Sequence, residues 1–313
     1  MLSKGKRTPF ELTVLLDHAL QPANRSLSGA SPFKLRCERE GILITLLRKF
    51  QNLDMMWKYV IFAYLLFWVM VLGMGGTASM VFQVSPLTMR WIANLCAWSP
   101  TFALLIMFKK LRPTMTVKEF FRNAFAAKLR LDLLLISSAA VIGGVLLAVW
   151  ILSLSTQQAF NTFFSLGSYA LPLSLIMSFL SGPTGEESGW RGYLRIELNN
   201  KYGFIKGSLI LGLVWAFWHA VLWLVDSDFS GFALIPYIIS NVVVMTSLVI
   251  IMNVVLDRSN NLFNAIWIHF CFNIIYSFLV TDIWFFVILT VVYAVIGICF
   301  LSWHLKTKAS AVV

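Results

Sequence analysis

Charge is scarce in this chain of 313 residues. Asp, Glu, Lys and Arg make up 12% of it, against 59% hydrophobic residues and a mean hydropathy of +0.79. So little charge excludes an ordinary soluble domain and places the chain among multispanning membrane proteins. Cysteine is equally thin: Cys37, Cys96, Cys271 and Cys299 lie far apart, without Cys-x-x-Cys spacing, which excludes a metal knuckle and a disulfide framework. The zinc-protease motif His-Glu-x-x-His is missing, as are a repeat of solenoid period and a duplicated half. Met1 to Arg7 lacks the apolar core and small-residue cleavage site of a removed signal peptide, so the N-terminus is expected to stay on.

What is present in quantity is long apolar runs. Stretches able to cross about 30 Å of hydrocarbon as helix occur near 58–75, 91–108, 131–152, 166–181, 204–225, 232–255, 262–280 and 283–302. The fourth is the weakest, diluted at its start by Ser165, Gly167, Ser168 and Pro172. The runs are continuous rather than alternating, which favours helices over a barrel. The expected fold is therefore all-α, a polytopic membrane bundle of about eight transmembrane helices.

Basic residues orient it. Of the 25 Lys and Arg, 24 fall in the N-terminal segment, the connections 109–130, 182–206 and 256–261, and the tail; the opposite side keeps only Arg90. Both termini are thus expected in the cytoplasm, of a bacterial plasma membrane if the source is bacterial. Basic loops facing anionic lipid account for the net charge of +11 without a nucleic-acid partner. Three regions follow: a cytoplasmic arm (1–57), a membrane bundle (58–303) and a short cytoplasmic tail (304–313). In the arm, Leu35, Ile42, Leu46, Leu47 and Phe50 recur at helical spacing among basic residues, as in a helix lying on the inner leaflet. The connection 109–130, with Phe120, Phe121 and Phe125 among seven basic residues, reads as a second interfacial helix. His18 and His304 are expected at the surface, and Cys271 as an inert packed thiol.

Site-grade polar residues are confined to three clusters in the second half, and ionisable groups in such apolar surroundings point to a functional site. In Ser181-Gly-Pro-Thr-Gly-Glu-Glu-Ser-Gly-Trp-Arg191, Thr184 and Glu187 have capping-box spacing, and Glu187 with Arg191 is an i,i+4 pair. That gives Glu187 and Arg191 a structural task and leaves Glu186 as the carboxylate for chemistry. His219, in Leu213-Val-Trp-Ala-Phe-Trp-His-Ala220, lies about 20 Å along its helix from Lys206, near mid-membrane. His269 and Asn273 are four apart and share a helix face. The helices holding His219 and His269 run in opposite directions, so all four groups are expected to meet at one depth. A carboxylate and an imidazole there can deprotonate water, while a second imidazole and an amide can bond an oxyanion. This is machinery for amide hydrolysis.

Glu-Glu-x-x-x-Arg, then an aromatic residue four before a histidine, then His-x-x-x-Asn resemble, in that order, the CPBP family: intramembrane proteases of the CAAX prenyl protease 2 type, also called Abi proteins. The resemblance covers about residues 130–300. It implies an intramembrane endopeptidase with Glu186 as general base, His219 beside it, His269 and Asn273 stabilising the tetrahedral intermediate, and Glu187 and Arg191 supporting the site. Trp215 stands where the family often has Phe and is expected to pack on the site wall. Glu186, His219 and His269 would also form a His₂Glu zinc set with a fourth position open, and members of the family have been read both as metalloproteases and as metal-free glutamate proteases. The implied partners are a peptide or protein substrate, prenylated or otherwise membrane-anchored, and the lipid bilayer. Two other classes stay in view: a family member that binds peptide without cutting it, as an immunity or scaffold protein, and a proton-coupled transporter, against which stands the lack of an inverted repeat.

Overall fold

The computed structural model describes residues 50–165 and 171–310. The chain divides into two units, Met1–Asp54 and Met55–Val313. The inner-leaflet helix expected in the arm, His18 and Cys37 lie outside the described residues. The second unit is helical throughout its described part, as expected of an all-α membrane bundle. Beyond helices it shows one isolated bridge, where Phe164 meets Leu279.

The first helix, α1 (Met55–Val69), passes through a π-helical stretch, Met70–Gly75, into α2 (Gly76–Met80). A second membrane-length stretch is broken at Trp98 into α3 (Pro86–Ala97) and α4 (Ser99–Leu111). Both halves start with proline in the first turn, where a missing N–H costs nothing, and the Ser85 hydroxyl caps α3 by accepting from Thr88 N–H. The second interfacial helix appears as α5 (Val117–Phe125). It opens on a capping box in which Thr116 and Glu119 exchange bonds, and those bonds hold the Glu119 carboxyl below the usual range. Next come α6 (Leu131–Thr156), α7 (Leu171–Leu180), α8 (Gly182–Glu187), a π-helical turn Ser188–Leu194, and α9 (Arg195–Trp218) with its extension α10 (Ala220–Val225). The chain closes with α11 (Leu234–Ser259), α12 (Phe263–Ser277) and α13 (Ile283–Ser310).

Six stretches are long and apolar enough to span a membrane, two fewer than the eight expected. The difference has two physical causes. Leu171–Val225 counts as one stretch, yet Gly203 inside α9 adopts φ 76° and ψ 168°, a conformation open to glycine alone. The chain doubles back there: a Cβ on Gly207 would lie 3.0 Å from the carbonyl carbon of Leu198, whereas nine residues of straight helix span about 13 Å. The fourth and fifth expected spans are the two arms of this hairpin. The seventh is α12, which at 15 residues falls short of membrane length.

Large apolar side chains such as Leu135, Trp150, Leu154, Val291 and Ile298 face outward, the pattern of a lipid-facing surface. Polar groups tie helices together inside. Tyr293 donates to the Val141 carbonyl at 2.7 Å, Ser240 to the Phe286 carbonyl at 2.8 Å, and Asn253 to the Ser208 hydroxyl at 2.9 Å. His304 departs from its expected surface place: α13 continues past it, and its ring is buried and stacked on Phe204 at 3.8 Å. Cys271 is packed as expected, beside the Ser138 hydroxyl.

Candidate active site

The Glu186–Glu187 pair sits where one helix stops and another starts at once. Ser181 is non-helical (φ −68°, ψ −122°), and Pro183, lacking an N–H, suits the first turn of α8. Three glycines let this segment approach its neighbours closely, of which two matter most. A Cβ on Gly189 would collide with the Tyr59 hydroxyl and with the Pro100 carbonyl, to which that hydroxyl donates at 3.0 Å. A Cβ on Gly182 would stand 2.6 Å from His269 Nε2 and 2.7 Å from Glu186 Oε1. The missing side chain therefore lets those two atoms close directly on the Gly182 backbone, so that the carboxylate and the imidazole converge there.

The capping box expected from Thr184 and Glu187 does not form. The Thr184 hydroxyl turns back to donate to the Phe179 and Leu180 carbonyls, each at 3.2 Å, because Glu187 is engaged elsewhere. Its carboxylate meets Arg191 on both oxygens, Oε1 to Nη1 at 3.2 Å and Oε2 to Nε at 3.1 Å, so the i,i+4 pair is present and fully buried. Oε1 also lies 2.7 Å from His269 Nδ1. A carboxylate can only accept here, so Nδ1 carries the proton and Nε2 presents its lone pair toward Gly182. Glu187 thus neutralises Arg191 and fixes the orientation of His269 together.

Glu186 has one bonding partner, which lies far away in sequence. Its Oε2 accepts from Trp215 Nε1–H at 2.5 Å, leaving Oε1 on the Gly182 side. The Trp215 ring lies 5.1 Å from the His269 ring and 5.9 Å from that of His219, centre to centre, and carries the Arg191 guanidinium on its face at 4.0 Å. Sequence reasoning had cast Trp215 as wall. It also donates to Glu186, which no Phe could do, and the visible clue was an indole at the fourth position before His219. Gly182 was passed over altogether, although Gly-Pro just ahead of two glutamates marks a forced turn.

His219 ends α9. Its Nδ1–H donates to the Trp215 carbonyl at 2.9 Å, which leaves Nε2 free to accept. The helix tightens there, with His219 N–H bonding Ala216 rather than Trp215, and the Trp218 carbonyl is taken by Trp68 Nε1–H at 3.1 Å. Tyr64 donates to the Val214 carbonyl at 2.5 Å, and Phe67 stacks on Trp218 at 3.8 Å. Helix α1 therefore clasps the turn that presents Trp215 and His219. Asn273, one turn beyond His269, lines a separate cavity with Ser181, and its amide forms no hydrogen bond among the described residues. The four expected residues are thus placed as a pair converging on Gly182, Glu186 and His269, flanked by His219 beyond Trp215 and Asn273 beyond Ser181.

Of the His₂Glu set that zinc would need, one oxygen of Glu186 is held by the indole and the Trp215 ring adjoins both imidazoles; as they stand, no three His, Cys, Asp or Glu side chains among the described residues are grouped to hold an ion.

Residues 167–275 match the family model described as type II CAAX prenyl endopeptidase Rce1-like. The matched segment is narrower than the 130–300 of the motif resemblance but contains all seven motif residues. Over 138 residues the chain is 27% identical to a protein of Methanococcus maripaludis named CAAX prenyl protease 2, an alignment covering 42% of this chain and 50% of that protein. The chain spans about half the length of the curated relative it matches. The motifs in order, the membrane helices and both comparisons agree that residues 167–275 are similar to the Rce1-like CAAX prenyl endopeptidase family.

Proposed function

We propose that this protein is an intramembrane endopeptidase that hydrolyses a peptide bond with a water held between Glu186 and His269. The observation that carries the reading is the convergence of a carboxylate oxygen of Glu186 and the Nε2 of His269 on one side of Gly182. A water there donates one O–H to Glu186 Oε1 and the other to His269 Nε2. As its oxygen attacks the carbonyl carbon, Glu186 takes the proton, and the carbonyl oxygen becomes an oxyanion for the unbonded Asn273 amide to meet. Collapse breaks the C–N bond, and the proton on Glu186 passes to the leaving nitrogen, giving a carboxylic acid and an amine. Trp215 holds Glu186 in place, Glu187 holds His269, and His219 supplies a second acceptor beside them. No step passes through a metal.

The apolar exterior suits a substrate delivered from the bilayer, a lipidated or apolar-anchored peptide. Cytoplasmic termini are supported by the connections 81–85, 157–165, 226–230 and 278–282, which lie at the other end of the helices and contain no Lys or Arg.

The test is cleavage of lipidated and unlipidated fluorogenic peptides by the purified protein in detergent, where no ion gradient exists. Cleavage is expected, and it should persist after prolonged incubation with a zinc chelator; loss on chelation and recovery on adding zinc would overturn the metal-free route. A folded protein that binds these peptides and cuts none would favour the immunity or scaffold reading. Gly182→Ala gives a sharper check on this pairing. Its methyl would stand within 2.7 Å of both His269 Nε2 and Glu186 Oε1 and force them apart, so turnover is expected to fall about 10²-fold and the thermal midpoint to drop as well. Unchanged turnover would mean that the water is held elsewhere.

A further inference from the structure

Between α3, α7 and α12 lies a cavity of about 330 Å³, lined by Arg90, Ser178, Ser181, Asn273, Tyr276 and Ser277. Its volume is at the small end of the range for ligand sites. The Ser178 and Ser181 hydroxyls and the Asn273 amide form no hydrogen bonds among the described residues, although Ser178 is buried. Leaving three hydrogen-bonding side chains unpaired within an apolar bundle is costly unless something polar occupies the space between them. Ser181 directly precedes Gly182, so the cavity adjoins the place where Glu186 and His269 converge.

The character of the lining decides between ligand classes. Arg90 stands exposed at the mouth and is opposed there by Asp226, whose carboxyl burial and Asp228 push above its ordinary range while Arg90 draws it back. The interior groups are neutral donors and acceptors, which suits a neutral hydrogen-bonding chain better than an ion. A substrate stretched through the bundle brings unpaired N–H and C=O groups with it. The helices bond their own main chain internally, and no strand among the described residues offers an edge to pair with. Side chains must therefore do this work.

We infer that this cavity is a substrate subsite that binds an extended peptide main chain next to the bond to be cut, with the Ser178 and Ser181 hydroxyls as its hydrogen-bonding partners. The inference rests on the endopeptidase reading for the position of that bond, and its test does not. A series of fluorescein-labelled peptides, each with one N-methyl amide walked along the sequence, is titrated against Glu186→Gln protein by anisotropy. The same titrations are made with Ser178→Ala/Ser181→Ala added. At one or two positions N-methylation should weaken binding about tenfold in the protein with serines and leave the alanine protein unaffected, since both changes delete the same bonds. In the catalytically intact background the two alanines should raise KM about tenfold with kcat within twofold. Additive losses at every position, or a KM that does not move, would overturn the subsite and leave water as the cavity's only occupant. Coupled binding without cleavage by the wild-type protein would remove the endopeptidase reading and keep the subsite; cleavage without coupling would do the reverse.

Discussion

Glu186→Gln should reduce peptide cleavage by between about 10²- and 10⁴-fold, the range expected for loss of a general base, with the bundle still folded. The substitution is chosen for its shape. A glutamine carbonyl oxygen can still accept from Trp215 Nε1–H, so the bond that crosses from α8 to α9 at 2.5 Å is kept. What disappears is an atom able to take a proton from water. Single-turnover rates together with melting temperature check the result. Cleavage within tenfold of wild type would remove Glu186 from the chemistry and turn attention to the free Nε2 of His219 as the base.

Glu187→Ala should have the largest effect on stability. It leaves the Arg191 guanidinium fully buried with its counter-charge gone, a situation that costs about 3–5 kcal/mol. For a membrane bundle the readouts are the yield of monodisperse protein and the thermal midpoint in one detergent, and both should fall. Adding Arg191→Met removes the stranded charge and should recover most of the stability, because a buried ion pair is worth little against well-packed apolar groups. Activity should not return with it. The 2.7 Å bond from His269 Nδ1 to Glu187 Oε1 is absent in both variants, so nothing keeps His269 Nε2 turned toward Gly182 and Glu186. Recovery of stability and cleavage together would assign Glu187 a purely electrostatic task.

Much of this was legible in the sequence, and the limits of that reading are specific. Membrane class and helical fold follow from run lengths, since hydrocarbon thickness fixes how many apolar residues a helix needs. Glu187 with Arg191 was readable because an i,i+4 pair is local. The partner of Glu186 was not, because Trp215 is 29 residues away and joined only by the reversal at Gly203. Thr184 misled for a related reason: spacing shows that a capping box can form, but Glu187 finds Arg191 and His269, and a carboxylate goes to its charged partner before a backbone N–H. His304 was assigned to the surface from the end of the apolar run, whereas α13 continues for another turn and more and folds its ring against Phe204. Gly182 carries no side chain, so its importance lies in the space it leaves, and only three dimensions reveal that.

The clasp of α1 on α9 has a consequence for how the protein can be divided. Similarity to the family model covers residues 167–275, yet Tyr64 and Trp68 secure the turn that carries Trp215 and His219 from a helix more than a hundred residues earlier. The boundary that similarity draws and the boundary that mechanics draws are different lines. Anyone grafting this site onto another scaffold, or trimming the chain to its smallest working form, has to carry Met55–Val69 along as a splint, because the segment recognisable by similarity does not hold its own histidine in position.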